Sequence, residues 1–105
     1  MSDKRPLTWD ECLEAEALSE VARVQDSGEH DGMCPTFAVP AHIPVQRLSG
    51  LARRNALICR ESRWALTLPG LRDLEELRAR YIAAGGEREV PAWRPVRDQG
   101  GENDA

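Results

Sequence analysis

Five arginines, Arg47, Arg53, Arg54, Arg60 and Arg63, stand against Glu61 alone between residues 44 and 70. A guanidinium fork binds phosphate and, in bidentate geometry, reads the acceptor edge of guanine. Gln46 and Ser49 sit among them and add neutral hydrogen-bonding groups. A second concentration of charge has the opposite sign. Asp10, Glu11, Glu14, Glu16, Glu20, Asp26, Glu29 and Asp31 stand against Arg23 alone between residues 9 and 32. Two surfaces therefore compete for a role. The basic segment suits duplex DNA. The acidic helix face of Asp10, Glu14, Glu16 and Glu20 suits a basic protein partner, or mimics nucleic acid. A third use is bland: the arginines pair with the acidic helix. The chain as a whole carries a net charge of −4. That total opposes generic nucleic-acid binding, so local sign decides what each face can hold.

Other chemistry finds little footing. His30, Cys34, His42 and Cys59 are potential ligands, but the spacing His-x3-Cys-x7-His fits no zinc signature. There is no Ser/His/Asp order, no phosphate-cradling Gly loop and no paired-His helix. Asp10, Glu11 and Glu14 form the kind of carboxylate cluster that exposed helix faces produce routinely. The expectation is a non-enzyme with no metal and no cofactor. Three cysteines with no CxxC pair imply free thiols in a reducing cytoplasm. No apolar run reaches the roughly 20 residues needed to cross a bilayer. Met1 to Pro6 leads into no apolar core of the secretory type.

The elements that must position these residues follow from local signals. A length of 105 residues suits one small domain, and 5% aromatics implies a mainly aliphatic core. Residues 1–7 read as a disordered lead-in, 8–84 as the domain and 85–105 as a flexible tail in which Val90 and Trp93 offer an anchor. Thr8-Trp9-Asp10-Glu11 fits a capping box, with Leu7 and Cys12 placed as a hydrophobic staple. Leu13, Ala17, Val21 and Val24 then recur at helical spacing, so a first helix runs from Trp9 to about Gln25. Trp9 and Trp64 are expected in the core. Asp26 to Gly32 is a break. Phe37-Ala38-Val39, caught between Pro35 and Pro40, is a short strand or a single turn. Pro44 suits a first helical position. Val45, Leu48, Leu51 and Ala52 make the apolar face of a second helix that Asn55 ends in the left-handed region. Ala56 to Arg60 and Arg63 to Leu68 read as a hairpin. Its link, Glu61-Ser62, lacks the Gly or Asn of a two-residue primed turn. Thr67 caps a last helix carrying Leu71, Leu74, Leu77 and Tyr81, stopped by Gly85-Gly86.

Arg53-Arg54-Asn55-Ala56-Leu57-Ile58, a short basic turn, and then Trp64-Ala65-Leu66-Thr67-Leu68-Pro69-Gly70-Leu71 resemble the end of a MarR-type bacterial winged helix-turn-helix domain. In that family a recognition helix ends in a basic pair and a Gly, a wing follows, and Leu-Thr-x-x-Gly opens the next helix. Here Asn55 replaces the Gly. The resemblance spans residues 44 to 81. It implies an α+β fold, mostly α, with a two- or three-stranded β-wing. It also implies a DNA-binding transcriptional regulator, with a homodimer as one form it could take. The DNA contacts would be Gln46, Arg47, Ser49, Arg53 and Arg54 on the recognition helix and Arg60 and Arg63 on the wing. The chain departs from the family where the helix before the recognition helix belongs, since Phe37-Ala38-Val39 stands there between prolines. That degenerate helix favours the rival reading, a phage or mobile-element inhibitor or accessory subunit working through its acidic face.

Overall fold

Thr8 starts the first helix as its capping box predicts. Its hydroxyl accepts from the Glu11 amide at 3.1 Å, and the Glu11 carboxylate accepts from the Thr8 amide at 2.9 Å. Leu7 and Cys12 are both buried, as a staple requires. The computed structural model describes residues 6–86, so the proposed tail anchors Val90 and Trp93 lie outside the described residues. In chain order the elements are α1 (Trp9–Ser27), β1 (Cys34–Pro35), a 3-10 turn (Thr36–Ala38), α2 (Val45–Arg53), β2 (Leu57–Arg60), β3 (Arg63–Leu66) and α3 (Leu68–Ala83). The fold is α+β: three α-helices and a three-stranded antiparallel sheet in the order β1-β3-β2.

The core is aliphatic, as the composition requires. Ala17, Leu18 and Val21 from α1 meet Leu48 and Leu51 from α2, Leu57 and Trp64 from the sheet, and Leu74 and Leu77 from α3. Each helix presents one apolar stripe to that centre. Pro44 is the N-cap of α2 rather than its first helical residue. Asn55 takes φ +65°, and its amide bonds to Ala52 O while the Ala56 amide bonds to Leu51 O. These are the paired bonds of a Schellman end, with buried Ala56 and Leu51 as its apolar contact. Thr67 caps α3 by accepting from the Gly70 amide at 3.1 Å, and its hydroxyl donates to the Asn55 carbonyl. Gly70 lies directly on the Ala56 carbonyl. The Leu-Thr-x-x-Gly pattern thus fastens the start of α3 to the corner between α2 and β2.

The sheet has three strands, one of the two forms expected. The segment between Pro35 and Pro40 is a single 3-10 turn, and a third strand, β1, precedes it. Two residues of strand carry no periodicity to read, and Pro35 is tolerated because β1 is an edge. The hairpin is shorter than predicted. Leu68 belongs to α3 and is 64% exposed, because the Thr67 cap turns the chain away from the sheet. Trp9 is 57% exposed rather than buried, since the first residue of α1 lies beyond the apolar stripe.

Glu61 and Ser62 both adopt positive φ, +50° and +62°, as a two-residue primed turn demands. Neither residue type is suited to that region. Replacing the pair with Asn-Gly is expected to stabilise the domain by about 1 kcal/mol, by relieving two left-handed L-residues. A higher midpoint in urea checks this, and an unchanged midpoint would refute the strain.

Candidate nucleic-acid interface

At about 100° per residue, Leu48 and Leu51 turn α2 towards the core. Gln46, Ser49 and Arg53 then fall on its outer side. Arg47, Gly50 and Arg54 share the flank next to α1, where they line a cleft of about 460 Å³ that Glu14 closes from the α1 side. Arg53 is exposed and Arg47 half-buried.

Arg54 has a different role from its neighbours. Its guanidinium lies 2.7 Å from Glu14 on α1 and 3.3 Å from Asp73 on α3. One side chain therefore ties all three helices together at the point where α2 ends. The bland use of the arginines holds for this residue. Among the described residues, Arg47, Arg53, Arg60 and Arg63 form no ion pair. Arg54→Ala is expected to lower thermal stability, whereas Arg53→Ala leaves it unchanged; equal melting temperatures would show that the tie carries no weight.

The β2–β3 hairpin places Arg60 directly opposite Arg63 across the turn. Both are exposed. The alternation of the strands sets Leu57, Cys59, Trp64 and Leu66 on one face and Ile58, Arg60, Arg63 and Ala65 on the other. Trp64 is buried as predicted, and its indole N–H donates to Thr36 Oγ1 at 2.9 Å. Thr36 in turn donates twice to the Ser62 carbonyl, from its amide at 2.9 Å and its hydroxyl at 2.8 Å. These bonds brace the hairpin tip from the β1 side. Gln25 at the end of α1 accepts from the Leu66 amide at 3.0 Å and holds the other end of β3. Neither Thr36 nor Gln25 stands out in the sequence, because both act on residues more than 25 positions away.

The acidic helix is engaged with its own chain. Glu14 pairs with Arg54, Glu16 with His42 at 2.8 Å and Glu20 with Arg23 at 2.8 Å. Glu11 binds Arg80 through both oxygens, at 2.7 and 3.1 Å. Of the acids proposed for a partner, Asp10 is the exposed one with no ion pair among the described residues.

Cys12 and Cys34 are buried, and burial raises both thiols above their ordinary pKa, with the field of Arg23 opposing it at Cys34. Such thiols are poor nucleophiles and poor ligands. Cys59 is exposed on β2. No group of three metal-binding side chains gathers among the described residues. No helix of the described residues is long and apolar enough to cross a membrane. No protein-family model matches the chain, and neither does any curated protein or solved structure.

Proposed function

We propose that this domain is a winged helix of the MarR-like kind that binds duplex DNA and serves as a transcriptional regulator. The observation that carries the reading is the wing tip. Arg60 faces Arg63 across a turn of two left-handed L-residues, with both guanidinium groups open to solvent. Like charges directly opposite on a hairpin are destabilising. A local conflict of charge, with no ion pair among the described residues to offset either arginine, is where function is expected. Phosphate is the ligand that relieves it, since each oxygen accepts from a guanidinium fork. Gln46, Ser49 and Arg53 on the outer side of α2 then supply base-edge or backbone contacts. Arg54 is assigned to holding α2 in place and Arg47 to the edge of the cleft.

The test is fluorescence anisotropy with a labelled duplex across a salt series. Binding is expected at low salt and to fall steeply as salt rises. The Arg60→Glu/Arg63→Glu double variant is expected to bind at least about tenfold more weakly, with a salt slope shallower by about two. Its melting temperature is expected to stay close to wild type, because both positions are exposed and one like-charge pair replaces another. Wild-type protein that binds no duplex at low salt would overturn the reading.

A further inference from the structure

Phe37 is 83% exposed, the most exposed large apolar side chain among the described residues. A lone exposed phenylalanine is ordinary. Its mounting is not. The preceding residue, Thr36, is fixed to the wing by two hydrogen bonds to the Ser62 carbonyl and one from the Trp64 indole. On the other side the Val39 amide closes the 3-10 turn on Thr36 O at 3.1 Å, and Ala38 and Val39 pack against the core. His30 supports the ring edge-to-face, with centroids 5.7 Å apart. The backbone carrying Phe37 is therefore pinned beside the wing, and its ring projects into solvent.

Its surroundings define the ligand. Pro35 is the register partner of Arg63, so Phe37 follows by two residues the position paired with a wing arginine. Glu29 and Asp31 are the chain neighbours of His30, the residue that touches the ring, and Glu61 lies in the turn. The exposed cations nearest to Phe37 in the strand register are Arg63 and its partner Arg60, so these are the groups that would hold a phosphate. We infer that Phe37 is a stacking residue for a nucleobase displaced from the duplex next to the wing, with Arg60 and Arg63 holding the adjoining phosphates. The inference rests on the DNA-binding reading and deepens it. An aromatic face accepts any base, so this contact would report local unstacking rather than sequence. Pre-positioning of the backbone lowers the entropy lost on contact.

The experiment compares two duplexes of the same sequence, one fully paired and one with a single unpaired 2-aminopurine at its centre. Wild-type protein is expected to bind the bulged duplex more tightly, by about tenfold for one stacked base. The 2-aminopurine emission is expected to fall as the base stacks on the ring. Phe37→Ala is expected to lose both the preference and the quenching, and Phe37→Trp to keep both. Because the side chain is exposed, neither variant is expected to change the melting temperature. If Phe37→Ala matches wild type on both duplexes while Arg60→Glu/Arg63→Glu is impaired, the stacking role is overturned and the DNA-binding reading stands. If wild type binds neither duplex at low salt, both are overturned.

Discussion

Gly70→Ala is expected to destabilise the domain by about 3 kcal/mol, because the added methyl has nowhere to go. A Cβ at this position falls on the Ala56 carbonyl oxygen and 2.8 Å from its carbon. Those atoms are backbone, and Ala56 is fully buried within the Schellman end of α2. The corner cannot yield without disturbing Asn55, and α3 cannot retreat without losing the Thr67 cap. For a domain of this size, a loss of that order lowers the melting temperature by about 15 °C. Gly50→Ala is the matching control. Nothing lies within 4 Å of a methyl placed there, and the residue is in the middle of a helix. At that site the same substitution is expected to stabilise by about 0.5–1 kcal/mol. Thermal melts of the two variants should move in opposite directions. A Gly70→Ala protein that melts with wild type would mean that α3 does not dock as described.

Glu11→Ala is expected to cost about 2–3 kcal/mol, since this carboxylate holds both a helix end and a guanidinium. Arg80 is only 8% exposed, and both of its terminal nitrogens reach Glu11. The same carboxylate receives the Thr8 amide. Removing it takes away the bidentate contact to a nearly buried guanidinium and half of the capping box of α1. Glu11→Gln keeps the size and tests the charge. The hydrogen bond from Arg80 holds the Glu11 pKa below its ordinary value of 4.5, against a smaller opposing effect of burial. The folded-state value is depressed, so the contribution is whole above the unfolded value. It disappears as the pH falls through the folded one. Urea midpoints between pH 7 and pH 3 should therefore fall less for Glu11→Gln than for wild type. Parallel pH profiles would show that Glu11 titrates alike in both states.

The helix ends were legible because their signals are local. Thr8 and Glu11, the left-handed Asn55, and Thr67 with Gly70 each act within one helical turn of themselves. The α+β class followed from those ends and from the hairpin pattern. The ties that assemble the elements were not legible, because they join residues distant in sequence. Arg54 looks like Arg53 in the chain. Only the fold brings Glu14, 40 residues away, and Asp73, 19 away, to one of them and not the other. The same holds for Arg80 and Glu11, 69 residues apart. The hairpin turn was obscure for another reason. Glu61-Ser62 has the wrong residues for its conformation, and the bonds from Thr36 together with the β1-β3-β2 pairing impose it. At the candidate site, the wing arginines were readable from charge. Phe37 was not, because a single aromatic between prolines carries no pattern of its own.

The Glu11–Arg80 and Glu14–Arg54–Asp73 contacts also fix the directions of α1 and α3. The start of α1 meets the end of α3, so the helices run antiparallel and these two helix ends lie at one pole of the described residues. Such an arrangement is a cassette. It can be set into a loop of another protein, or joined head-to-tail and reopened elsewhere, with little change in the path of the host chain.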